Sequence, residues 1–151
     1  MLKKTLFCSL LIFIFLVTFN HDSNSKTWKN CRVPADSIIS AIDHGDSIII
    51  ENCEISGQFE KTPLTVDMFL RGNIPISQDT IKSFIFIEHS TFLKGCLFMF
   101  CIFQGNVVFH ADVFEGDVTF NFLIFSNYVK FDSCTFKKPL DFANSTFKED
   151  A

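Results

Sequence analysis

The stretch FQGNVVFHADVFEGDVTFNFLIF, residues 103–125, places Phe103, Phe109, Phe114, Phe120 and Phe125 at steps of six, five, six and five. Neither the 3.6-residue period of a helix nor the two-residue period of a long strand produces that alternation. Val107 stands two residues before Phe109, and Val118 two before Phe120, as on a strand with one face turned inward. Val113 and Ile124 directly precede Phe114 and Phe125, adding β-branched residues where a second strand would run. Gly105 and Gly116 lie between these pieces, at corners where unusual backbone angles are expected. Each eleven residues therefore read as two very short strands and two corners.

The same frame extends from Ile81 to the end of the chain. Its first column is Ile81, Phe92, Phe103, Phe114, Phe125, Phe136 and Phe147, and its seventh is Ile87, Phe98, Phe109, Phe120, Phe131 and Phe142. The fifth column, Ile85, Cys96, Val107, Val118, Val129 and Leu140, is apolar throughout. The tenth, two before each first-column Phe, is mostly compact: Ser90, Cys101, Asp112, Leu123, Cys134 and Ser145. Repetition in several columns at once marks a repeat architecture.

An eleven-residue period also fits a right-handed coiled coil, but the corner residues and β-branched columns oppose it. A meander of hairpins would need longer strands. The remaining solution is a coil that turns every five or six residues, with two elevens per turn and successive turns about 4.8 Å apart. Phe92, Phe114 and Phe136 would then form one ladder and Phe103, Phe125 and Phe147 another. Phe98, Phe120 and Phe142 would form a third, and Ile87, Phe109 and Phe131 a fourth.

Upstream, PADSIISAIDHG at 34–45 has an apolar stripe at helical spacing, with Pro34 at its start and Gly45 at its end. This short helix is expected to cap the first coil. SIIIENCEISGQF at 47–59 reads as short strands, 60–80 as loop or irregular chain with one strand-like piece, and 21–33 as a polar tether. Residues 1–20 combine MLKK with the apolar run Leu6 to Phe19, an export signal or an uncleaved membrane anchor. The protein is thus expected outside the cytoplasm, secreted, periplasmic or tethered, with one repeat domain over 34–151 and regular coils over 81–147.

Thirteen Lys and Arg stand against 17 Asp and Glu, a net charge of −4, and setting aside Lys3 and Lys4 makes the remainder more acidic. That balance argues against a nucleic-acid partner. Five cysteines lie beyond the apolar run, and no pair of them has zinc-site spacing. Cys31 and Cys53 are the disulfide candidates, since the tether carrying the first must pass the early strands carrying the second.

These columns resemble the pentapeptide-repeat family, in a variant whose units read roughly F-x-G-x-V-x-F, with Phe103–Phe125 the best match. Ala35–Phe59 resembles the leader that commonly precedes such repeats. The resemblance implies an all-β, right-handed quadrilateral β-helix with a short N-terminal capping helix, and a non-enzymatic protein without a cofactor. Some members resemble duplex DNA, but here Glu115, Asp117, Asp132 and Asp141 are interspersed with Lys130, Lys137 and Lys138.

No catalytic motif surrounds Ser90, His110 and Asp112, and His89 and His110 fall in different columns. Asn144-Ser145-Thr146 matches a glycosylation acceptor but also fits the repeat. A 22-residue coil stacks Phe100 on Phe122 and Ile102 on Ile124, outside the core columns. These four residues are either an interaction patch for a protein or membrane surface or corner residues that shield backbone. The tail FKEDA would leave the last coil open to self-association, unless the chain belongs to a longer repeat protein. The expected role is a binding or scaffold module, and the alternative is a structural remnant without a specific ligand.

Overall fold

The computed structural model describes residues 24–62 and 78–148. The segment read as an export signal and the span 63–77 lie outside the described residues. The first coil contains β1 (Ser25–Lys29), β2 (Arg32–Pro34) and α1 (Ala35–Asp43). The second contains β3 (Ser47–Glu51), β4 (Glu54–Ser56), β5 (Phe59–Lys61) and β6 (Asp79–Ile81). The third contains β7 (Ile85–Glu88), β8 (Thr91–Phe92), β9 (Cys96–Met99) and β10 (Cys101–Phe103). The fourth contains β11 (Val107–His110), β12 (Val113–Phe114), β13 (Val118–Asn121) and β14 (Ile124–Phe125). The fifth contains β15 (Val129–Asp132), β16 (Thr135–Phe136), β17 (Leu140–Asp141) and β18 (Thr146–Phe147).

From β3 to β14 each strand pairs in parallel with the fourth after it, and β1 and β2 pair with β3 and β4, giving an all-β solenoid with four sheets. Sheet A is β1-β3-β7-β11-β15, sheet B is β2-β4-β8-β12-β16, sheet C is β5-β9-β13-β17 and sheet D is β6-β10-β14-β18. Ile85 pairs with Val107 and Val107 with Val129, the 22-residue step expected from two elevens. Between Ile48 and Ile85 the step is 37. The surplus enters between Lys61, which pairs with Phe98, and Asp79, which pairs with Cys101.

All four Phe ladders form. Phe92 and Phe114 lie 4.5 Å apart, Phe114 and Phe136 4.8 Å, Phe103 and Phe125 5.0 Å, and Phe109 and Phe131 4.9 Å, all nearly parallel. In the remaining ladder Phe98 and Phe120 are 6.0 Å apart and tilted by 44°. Apart from Phe147, the rings line the interior together with Ile85, Cys96, Val107, Val118 and Val129 of the fifth column and the Ile residues of β3 and β7 that face inward. Burying each ring contributes roughly 1.5–3 kcal/mol, and offset stacking along a ladder adds to it.

The first coil differs from the others. After β2 the chain forms α1 in place of strands in sheets C and D, and buries Ala35, Ile38, Ala41 and Ile42. The helix packs on β2, β3 and β5, covering the start of sheet C. It ends in a Schellman motif: Gly45 at φ +81° donates to the Ile42 carbonyl, and Asp46 donates to that of Ala41. Lys61 Nζ joins Asp43 at the helix end (2.6 Å) to Asp79 at the start of β6 (3.2 Å). Burial disfavours that ammonium, but the two carboxylates outweigh it and hold its pKa above the ordinary lysine value.

The polar tether expected over 21–33 is not what the structure shows from Ser25 onward. β1 pairs with β3 along its whole length and β2 with β4. The segment is polar because β1 is an edge strand, with a side chain packing inward mainly at Trp28.

Candidate functional site

The corner between sheets A and B carries most of the chemistry-bearing side chains. It turns on residues with positive φ: Asn30, Asn52, His89, Ala111 and Ser133, at φ between 50° and 57°. The corner between sheets C and D turns likewise on Phe100, Phe122 and Asn144. Gly105 and Gly116, expected to supply such angles, instead supply space at the other two corners. A Cβ on Gly105 would lie 1.9 Å from the Ser83 carbonyl oxygen, and one on Gly116 would lie 2.4 Å from the Gly95 nitrogen.

A left-handed residue tilts the next backbone N–H out of the sheet ladder, and the compact tenth column answers that need. Cys53 N–H donates to Ser90 Oγ (3.0 Å), Ser90 N–H to Asp112 Oδ1 (2.7 Å) and Leu123 N–H to Ser145 Oγ (3.0 Å). Each side chain thus satisfies the coil below it. The Ser90 hydroxyl and the Cys101 thiol also donate to the carbonyl two residues earlier. Asp112 accepts from the His110 N–H at the equivalent place (3.1 Å). Asp112 is fully buried, and burial pushes its pKa up to about 7 against the pull of the two N–H groups.

Ser90, His110 and Asp112 share this corner without forming a triad. The Ser90 hydroxyl is occupied by backbone, Asp112 receives backbone N–H groups, and the His110 ring lies 3.2 Å from Asp132 Oδ2 instead. His89 and His110 touch edge to face, with ring centroids 5.7 Å apart. Among the described residues no group of three His, Cys, Asp or Glu side chains is arranged to hold a metal ion.

Cys31 and Cys53 are brought together at the N-terminal end of the same corner, Sγ to Sγ 3.4 Å, both as thiols. Cys31 is exposed, in a shallow depression shared with Asn30, Arg32, Asn52, Glu54 and His89. Cys53 is buried, and desolvation raises its thiol pKa. Burial likewise pushes the Cys101 thiol up to about 12 and Cys96 well above the ordinary range.

The patch of Phe100, Ile102, Phe122 and Ile124 is assembled but is not evenly exposed. Phe100 stacks on Phe122 at 4.8 Å with rings 5° from parallel, and Ile102 pairs with Ile124. Phe122 is 39% exposed and the two Ile are half-buried, whereas Phe100 is only 8% exposed although it stands outside the interior cluster. The next coil does not cover Phe122, because Asn144 follows it in the column.

The fifth coil offers a larger apolar face. Phe147 is 39% exposed and Leu140 37%, and Phe131, Phe136 and Phe142 are only partly covered. β15, β16, β17 and β18 are each the outermost strand of their sheet on that side.

Sequence reading missed the first coil, and the signal for it was present. Lys29-Asn30-Cys31-Arg32-Val33 and Glu51-Asn52-Cys53-Glu54-Ile55 share Asn-Cys-x-Val/Ile at the 22-residue step. The structure stacks them, with Asn52 Nδ2 donating to Asn30 Oδ1 (2.6 Å) and Lys29 paired with Glu51 (2.7 Å).

No protein-family model matches the chain, and no match was found among curated proteins or solved structures. No helix among the described residues is long and apolar enough to cross a membrane.

Proposed function

We propose that this protein is a non-enzymatic binding or scaffold module, exported or held at a membrane surface by its amino-terminal segment. In this reading the solenoid is a pentapeptide-repeat-type, right-handed quadrilateral β-helix, as its eleven-residue columns and four parallel sheets support. One observation carries the function: among the described residues a helix packs over the start of the solenoid and no element packs over the fifth coil. α1 packs on β2, β3 and β5 and Trp28 packs inward from the edge strand β1, while the fifth coil exposes Leu140 and Phe147 and carries the outer edges of four strands. Such edges pair with another chain.

The partner that fits is a second copy of the chain. Joined through this face, two copies would meet end to end around a two-fold axis and the assembly would close as a dimer. Lys130, Asp132, Lys137 and Asp141 mix both signs around this end, so like ends can meet without a single-sign field. Sedimentation of the full chain over a range of concentrations should show a monomer–dimer equilibrium. Leu140→Lys combined with Phe147→Asp should return it to monomer with its circular dichroism unchanged. A wild-type chain that stays monomeric at the highest concentration reached would remove this reading. The burial of Phe100 favours a second one, a structural domain without a specific ligand, because it shrinks the outer patch to Phe122 and its Ile neighbours.

A further inference from the structure

We propose that Cys31 and Cys53 form a thiol–disulfide staple, made by exchange with a small-molecule disulfide, that pins the capped first coil to the second. Three features of the corner converge on this. The two residues occupy the same column on adjacent coils, and the Cys31 carbonyl accepts the Glu54 N–H at 3.0 Å. In-register neighbours on parallel strands lie about 4.8 Å apart, inside the Cα range that a disulfide spans. The sulfurs already touch at 3.4 Å, so rotation of the exposed Cys31 side chain closes the remaining gap without moving backbone.

The pair is also asymmetric in a useful way. Cys31 opens into the shallow depression and Cys53 lies beneath it. The Cys31 thiolate attacks one sulfur of glutathione disulfide, forming a mixed disulfide and releasing one glutathione thiolate. Cys53 then gives up its proton, its thiolate attacks the Cys31 sulfur, and the second glutathione is displaced and takes up a proton to leave as the thiol. Two protein thiols are oxidised and one glutathione disulfide is reduced to two thiols, so electrons and protons balance. Cys134 lies in the same corner stack but is separated from the pair by Ser90 and Asp112, while Cys96 and Cys101 are buried and lie in β9 and β10, away from this corner. They take no part.

The loop closed by the bond runs from Cys31 to Cys53 and contains all of α1. Oxidation therefore holds the cap against the solenoid, and reduction lets it fray independently of the Phe ladders.

The test treats the folded full chain with glutathione disulfide, blocks remaining thiols with an alkylating agent, and reads intact mass and linked peptides. The expected product has lost two hydrogens and yields a Cys31–Cys53 peptide, and its unfolding midpoint rises by roughly 5–10 °C. Cys31→Ser should abolish both changes. Cys53→Ser should fold, because Ser90 holds the equivalent place one coil above, and should keep a glutathione adduct on Cys31. A wild-type chain that keeps that adduct, or in which both thiols are alkylated after oxidation, would overturn the proposal.

Discussion

At the scale of single residues, Asp112 shows how the solenoid handles its corners. A buried carboxylate without a cation is costly, yet here it takes a place that Ser90 fills one coil below, and accepts two backbone N–H groups. Its pKa is raised to about 7 from an ordinary carboxylate value near 4, burial being the larger cause and Glu88 adding a little. The native state therefore holds a proton that the unfolded chain releases between these values. This group's contribution to stability is full below about pH 4 and falls as pH rises towards 7, by up to about 1.4 kcal/mol per pH unit. Asp132 and Asp141 act oppositely: hydrogen bonds from Lys130 and Asn121 respectively lead in lowering their pKa values, so their contributions are lost as pH falls. Asp112→Ser isolates the buried group. Urea unfolding at pH 4.5 and pH 7 should show the wild type losing stability relative to the variant at the higher pH, and equal pH dependence in both would refute the assignment. The Phe and β-branched columns were legible because burial selects side-chain type. The positive-φ column was not, because His89, Phe100, Ala111, Phe122, Ser133 and Asn144 share a backbone angle and no side-chain chemistry. Phe100 and Phe122 could for that reason be read either as an outward patch or as corner residues shielding backbone; both turn the corner, and Phe100 is stacked on Phe122 and buried.

At the scale of elements, the glycines separate two kinds of end. Gly45 closes α1 in the left-handed region with no atom near the place a Cβ would take, whereas Gly105 sits at a corner where a Cβ would strike the Ser83 carbonyl. Gly45→Ala should thus cost about 1 kcal/mol, the strain of one left-handed residue. Gly105→Ala forces two stacked coils apart and should cost about 3 kcal/mol, the upper end of what overpacking brings. Equilibrium urea unfolding of the two variants checks the order. If Gly105→Ala proved the milder, the corner would not be packed as tightly as the stacking requires. The helix itself was legible from its stripe and its terminal glycine. β1 and β2 were not read, because SKTWK has too few apolar residues to show a period and must be recognised from its copy 22 residues later. The regular coils were readable from 81 onward, whereas the insertion between Lys61 and Asp79 hides the second coil from the eleven-residue frame.

At the scale of the whole molecule, the solenoid is a stack in which each coil is supported by those on either side. Its stability is approximately a sum of coil and interface terms. Interior coils have two interfaces, the first has one plus the α1 cap, and the fifth has one and no cover among the described residues. Local opening should therefore begin at β15–β18, where the ladder rings Phe136 and Phe142 are only partly buried and Phe147 is exposed. Native-state hydrogen exchange reads this directly, since each amide reports the cheapest opening that frees it. Amides of β7–β12 should exchange only by near-global unfolding, and those of Val129–Phe147 much sooner. If a second copy covers the open end, raising the protein concentration should slow exchange in Val129–Phe147 and leave β7–β12 unchanged, because mass action stabilises only what association buries. Fast exchange at the fifth coil that ignores concentration would keep the stacking argument and dismiss the partner. Uniform protection from β3 to β18 would dismiss the stacking argument too, because an uncapped coil with one neighbour cannot match a coil held on both sides.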